Sequence, residues 1–103
     1  MNVLVLLENK LKPKYKMAIL KEVTSFEDIK VQLVTSFPDI CVYVTKNKSE
    51  ADNSDFVWFF DNSFPKKKIK FVTSFADLKV QYVNSKSAAG WKNHTHKLQH
   101  RIG

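Results

Sequence analysis

Val23-Thr24-Ser25-Phe26-Glu27-Asp28-Ile29-Lys30-Val31-Gln32-Leu33-Val34 returns later in the same chain as Val72-Thr73-Ser74-Phe75-Ala76-Asp77-Leu78-Lys79-Val80-Gln81-Tyr82-Val83. Nine of the twelve positions are identical, which marks an internal repeat. Val34-Thr35-Ser36-Phe37 opens another copy, and weaker copies begin at Cys41, Phe56 and Lys79. The period is roughly eleven residues, with a small insertion at Asn53 to Asp55. That is shorter than the ~20–50 residues of helical solenoids and propeller blades.

Each copy has two halves. The first is a run of about five residues with period two, such as Lys30 to Val34 or Lys68 to Val72, which reads as a strand. Val31, Val42, Val57, Ile69 and Val80 share one register, and Leu33, Val44, Phe59, Phe71 and Tyr82 lie two further on. Alternation places these ten in the core and Gln32, Tyr43, Trp58, Lys70 and Gln81 outward. With two less regular runs near 3–7 and 15–23, the count is seven strands.

The second half is a connector of the form Ser-x-x-Asp: Ser25 to Asp28, Ser36 to Asp39, Ser49 to Asp52 and Ser74 to Asp77. That spacing is the start signature of a helical turn, so these acids are expected to cap. A catalytic carboxylate would not need four repeats of itself. The chain has no Asn-Gly or Asp-Gly hairpin signal, so a simple meander is disfavoured. Connectors of five or six residues are also too short for an ordinary crossover helix. The expected architecture is therefore a winding one. Each strand is displaced from its predecessor by the same small step.

All 103 residues belong to one domain on this reading. At 44% hydrophobic and 26% charged residues, a disordered chain is excluded. A single cysteine, Cys41, rules out an intramolecular disulfide and suits a reducing compartment. Met1 to Leu7 is apolar but lacks the basic and small-residue flanks of a signal peptide. The expectation is a cytoplasmic protein with no membrane association, a monomer or weak oligomer.

The formal charge of +7 is local. Residues 1–60 balance, whereas 61–103 hold Arg101 and eight lysines against Asp61 and Asp77. Two readings follow. Lysines can protect a sheet surface from aggregation. Alternatively Lys66, Lys67, Lys68, Lys70, Lys92, Lys97 and Arg101 can face a polyanion such as nucleic acid. Tyr43, Trp58 and Lys70 would form a stacking platform if they shared an outer face.

Other chemistry is weak in the sequence. His94, His96 and His100 invite a metal reading, but their spacings fit two mutually exclusive local geometries with no acid or cysteine nearby. Cys41 sits in a strand and reads as a buried thiol. No glycine-rich phosphate loop occurs. No cofactor and no catalytic residue is assigned. A non-enzymatic structural or interaction module comes first, nucleic-acid binding by the basic C-terminal half second, and a hydrolase with a His-rich tail a distant third.

The repeat resembles the septoil-knot domain family of small bacterial proteins. The likeness rests on Cys41-Val42-Tyr43-Val44-Thr45, Trp58-Phe59-Phe60, Ala76-Asp77-Leu78-Lys79-Val80 and Ser87-Ala88-Ala89-Gly90-Trp91-Lys92-Asn93. The closing Lys97 to Gly103 is similar too. Lys12-Pro13-Lys14 and Glu27-Asp28 depart from the family's usual Ala-Asp. The resemblance implies a small β-rich fold with a deeply knotted backbone; joined to the reading of the residues, the expectation is a mainly β fold of about seven short strands joined by one-turn helical connectors. It implies no catalytic residues. Gly90 is expected to turn the chain so that Trp91 tucks in as a plug.

Overall fold

The computed structural model describes residues 17–51 and 54–102. Seven strands follow in order: β1 (Met17–Glu22), β2 (Ile29–Leu33), β3 (Ile40–Val44), β4 (Ser54–Phe60), β5 (Lys67–Phe71), β6 (Leu78–Val83) and β7 (Gly90–Trp91). The expected run near 3–7 lies outside the described residues, and β7 adds a strand where only a turn was anticipated. The lateral order is β4-β1-β5-β2-β6-β3, and β3 pairs with β4 to close the ring. These six strands form a parallel barrel. β7 joins antiparallel at the start of β3. Closure satisfies both edges of the sheet, which would otherwise template aggregation.

The chain therefore goes round the barrel by skipping one strand, and its second half fills the gaps left by its first. Register explains how six-residue connectors manage this. Glu22, the last residue of β1, and Ile29, the first of β2, both align with Ile69 of β5. Phe60 and Lys67 both align with Leu20. Phe71 and Leu78 both align with Val31, and Leu33 and Ile40 with Val80. Each connector thus starts and ends at one height. It only has to cross a single intervening strand, about 10 Å. No return along the barrel axis is needed, so no helix is needed either.

Hydrogen bonds fix each crossing in the same way. The first connector N–H donates to the carbonyl of the central residue: Val23 to Ile69, Val72 to Val31 and Asp61 to Leu20, each 2.8 Å, and Val34 to Val80, also 2.8 Å. The last connector N–H donates to the carbonyl one residue earlier: Asp28 to Lys68, Asp77 to Lys30, Asp39 to Lys79 and Lys66 to Ile19. The three aspartates among these then accept a bond in return. Lys68 N–H donates to Asp28 Oδ2, Lys30 N–H to Asp77 Oδ2 and Lys79 N–H to Asp39 Oδ2, each 2.8 Å. The aspartate side chain thus stands in for a missing backbone carbonyl and lengthens the ladder by one bond.

This corrects the capping role expected for Asp28, Asp39 and Asp77. Their carboxylates reach across to a neighbouring strand rather than back along their own turn. Helical turns do occur between strands, at Lys48–Ala51 and Lys86–Ala88. The connectors 23–28, 34–39, 61–66 and 72–77 are bends. The β3–β4 link is longer because it carries the insertion, and there the chain moves to the adjacent position and seals the barrel.

The first expected core register holds: Val31, Val42, Ile69 and Val80 are fully buried and Val57 nearly so. The second does not. Leu33, Val44 and Tyr82 are exposed, and Phe59 and Phe71 only half-buried. These residues stand at or near strand ends, where the chain leaves the wall. The inner layer is instead completed two positions earlier, by Ile29, Ile40 and Leu78, with Ala18 and Leu20 from β1. Trp58 was expected outside and is fully buried. It lies where the register of β4 slips against β1, between Met17↔Ser54 and Ile19↔Phe59, a slip that breaks the strict alternation. Burying an aliphatic side chain is worth about 1.5–3 kcal/mol, so one layer repeated round a ring is a sufficient core.

Replacing Asp28, Asp39 and Asp77 together by Ala should lower stability by about 1 kcal/mol per site. Urea denaturation followed by circular dichroism measures this. No change in midpoint would mean that these carboxylates are not structural.

Candidate functional site: a spiral of exposed phenylalanines

The Ser-Phe connectors, three with Thr and one with Asn before the Ser, have a second consequence. Their apex residues Phe26, Phe37, Phe64 and Phe75 are 80–94% exposed. Phe26, Phe37 and Phe75 also have positive φ, at 59°, 52° and 56°. A bulky residue there is disfavoured, and Gly or Asn would be usual. A left-handed L-residue costs roughly 1–2 kcal/mol. The fold thus holds the same large apolar ring, in a costly conformation, where it buries nothing.

The crossings place these rings in order. Phe64 lies on the connector over β1, Phe26 over β5, Phe75 over β2 and Phe37 over β6. Those four strands are neighbours in the barrel. From one strand to the next, equivalent residues shift by one strand spacing and two residues of register. The step is therefore about 8 Å. Four rings follow one another in a row that winds round the barrel wall.

A lysine row runs beside them. Lys68, Lys30 and Lys79 occupy equivalent, exposed positions on β5, β2 and β6. Exposed Lys66 closes the Phe64 connector. At the other end Lys92 N–H donates to the Asp39 carbonyl at 2.8 Å, so exposed Lys92 continues the series. Lys21 pairs with Lys68 and Lys70 with Lys30 in register, and both are half-buried. Acids are interleaved. Asp28, Asp39 and Asp77 are engaged as described, Glu27 is half-buried, and Asp61 Oδ1 accepts from Ser63 N–H at 2.8 Å and Phe64 N–H at 3.3 Å. Those two N–H groups hold the Asp61 carboxyl below its ordinary range. An open groove of about 320 Å³ lies next to the row, lined by Gln32, Leu33, Phe71, Val72 and Thr73. In β6, the partial desolvation of the half-covered Tyr82 ring, followed by the Glu22 charge, pushes its phenol up to about 12.

Of the residues singled out from sequence, the wall thus gathers Lys66, Lys68 and Lys70, with half-buried Lys67 beside Leu20, and Lys92 at its end. Lys97 and Arg101 are exposed on the C-terminal segment. The expected platform of Tyr43, Trp58 and Lys70 does not form, because Trp58 is in the core. The phenylalanine row was missed. Its signal was present: an apolar residue kept at one place in a turn, where packing does not require it.

The C-terminal segment has another task. Trp91 enters the core as expected. Gly90 permits this with φ +154°, a value L-residues rarely adopt. Its anchor is Asp55, buried where other copies carry Ile29, Ile40 or Leu78. Asp55 accepts bonds from Trp91 Nε1 at 3.1 Å, from Ile102 N–H at 3.2 Å and from His100 N–H, and its carbonyl takes Trp58 Nε1 at 2.7 Å. His96 stacks on Trp91 with centroids 5.6 Å apart. Its Nδ1 accepts from Leu98 N–H at 3.0 Å, which leaves Nε2–H to donate to the Asp77 carbonyl, also 3.0 Å. His94 and His100 are exposed and do not converge on it. Among the described residues no three His, Cys, Asp or Glu side chains are grouped to hold a metal ion. Cys41 is buried in β3.

A closed six-stranded parallel barrel wound in two interleaved passes, with its C-terminal segment pinned by one buried carboxylate, defines a small β-repeat barrel domain. The family model described as the 7(1) septoil knot domain matches residues 15–92, and the chain belongs to that family. No curated protein matches the chain. Among the described residues no helix is long and apolar enough to cross a membrane.

Asp55→Ala should strip two buried donors, Trp91 Nε1 and Ile102 N–H, and the part-buried His100 N–H of their acceptor, and cost about 3–5 kcal/mol. Loss of near-ultraviolet tryptophan dichroism should accompany the fall in melting temperature. A variant as stable as the parent would show that the segment is held by packing alone.

Proposed function

We propose that the domain is a non-enzymatic interaction module whose binding surface is the row Phe64-Phe26-Phe75-Phe37. The single observation that carries this reading is the repeated placement of phenylalanine, almost wholly exposed and mostly at positive φ, at the connector apices. Single exposed apolar residues need no explanation, but an ordered series does. A polyanionic partner is a second reading, favoured by the exposed lysine that accompanies each step of the row.

We also infer that the backbone is knotted. Support comes from the family and from the interleaved passes. Unthreading would then make unfolding slow. Denaturation and renaturation curves in guanidinium should show hysteresis after hours of equilibration, and superimposable curves within minutes would argue against a knot.

The functional reading is tested by stability. Phe26→Asn, Phe37→Asn and Phe75→Asn combined should leave the melting temperature unchanged or raise it, because Asn tolerates the left-handed region. A loss of more than about 1 kcal/mol per site would mean that the rings serve the fold.

A further inference from the structure

We propose that the phenylalanine row binds single-stranded nucleic acid, each ring offering a stacking face and each neighbouring lysine a phosphate contact. The proposal rests on the reading of the row as the binding surface and names its partner. Three features on the wall select this partner.

The first is pairing of chemistries. Every ring is accompanied by one exposed ammonium, in the order Phe64 with Lys66, Phe26 with Lys68, Phe75 with Lys30 and Phe37 with Lys79. The last three pairs are linked through the connector aspartate, which bonds the lysine's own backbone N–H. Aromatic faces alternating with cations are the elements of sequence-tolerant single-strand binding. A neutral apolar partner would have no use for the lysines.

The second is pitch. Successive connectors step by about 8 Å along the wall, a little over twice the ~3.4 Å rise of stacked bases. A strand following the row would place every second or third base on a ring, or one per ring where it is stretched.

The third is curvature. The four connectors cross four of the six barrel strands, so their tips face progressively different directions. A flat lipid surface cannot meet all four rings together. A flexible strand can follow them. A duplex is too stiff for a turn this tight and keeps its base faces covered.

The carboxylates facing the row are Glu27, Asp28, Asp39, Asp61 and Asp77. Asp28, Asp39 and Asp77 accept from backbone N–H groups of the wall, and Asp61 accepts from Ser63 and Phe64 N–H of its own connector. Exposed Lys92 joins the Phe37 end through its backbone bond to Asp39, and exposed Lys97 and Arg101 lie on the C-terminal segment that follows.

The experiment uses the full chain and a fluorescein-labelled oligothymidylate long enough to span the row, with anisotropy recorded over a salt series. Binding at low salt is expected. Phe26→Asn with Phe75→Asn should weaken it at least tenfold while the melting transition persists. Lys30→Gln with Lys68→Gln should reduce the slope of log K against log salt by roughly 0.7 per lysine. Binding that ignores the Phe variants but vanishes with Lys92→Gln, Lys97→Gln and Arg101→Gln would overturn the proposal and move the site to the C-terminal segment. No binding at low salt would also overturn it. If the Phe variants then altered sedimentation of the chain or its flotation with anionic vesicles, the row would remain a binding surface for a different partner. If they altered neither, the parent reading would fall too.

Discussion

The whole structure depends on two strand ends sharing one central residue at equal height. Leu20, Ile69, Val31 and Val80 each serve as that shared residue, and each is fully buried. Its side chain fills the core, its carbonyl receives the connector's first N–H, and its height lets the connector be short. One position thus couples packing, hydrogen bonding and topology. Parallel strands joined by six residues are otherwise hard to build, because the chain must normally return the full strand length.

The same geometry generates the surface. A connector that crosses a strand with no axial travel is a tight arch, and three of the four arches carry a left-handed residue at the apex. Glycine would relieve the strain, but Gly90 and Gly103 are the only glycines in the chain. Phenylalanine stands at the apex instead. Because the arches repeat at the stagger of the strands, any apex side chain is set out in a row by the fold itself. The aspartate two residues later holds the arch down on Lys68, Lys30 or Lys79, which brings the cation row alongside the ring row. Asp55 departs from this repeat. It sits at the seam where β3 meets β4 directly, and the break in the pattern becomes the anchor for Trp91 and Ile102.

Much of this was legible from residues. The period, the β character and the inward register through Val31, Ile69 and Val80 follow from alternation. So does the winding step, from the absence of hairpin signals together with connector length. What stayed hidden depends on stagger, which a single sequence does not encode locally. Alternation cannot say whether Leu33 or Ile29 completes the inner layer, since both share a face. Only the pairing of β2 with both β5 and β6 decides for Ile29. Ser-x-x-Asp resembled a helix cap because the competing acceptor role involves an N–H forty or more residues away. Trp58 was misplaced because the slip in β4 is invisible to a period-two count. The rings were overlooked for the opposite reason: they obey the repeat perfectly, and only their exposure sets them apart.

The shared-residue geometry is most directly tested by scalar couplings across hydrogen bonds in labelled protein. Correlations should appear from Val23 N to the Ile69 carbonyl carbon, from Val72 N to Val31, from Val34 N to Val80 and from Asp61 N to Leu20. Couplings that instead join strands consecutive in sequence, such as β1 to β2 or β5 to β6, would contradict the interleaved barrel and everything built on it.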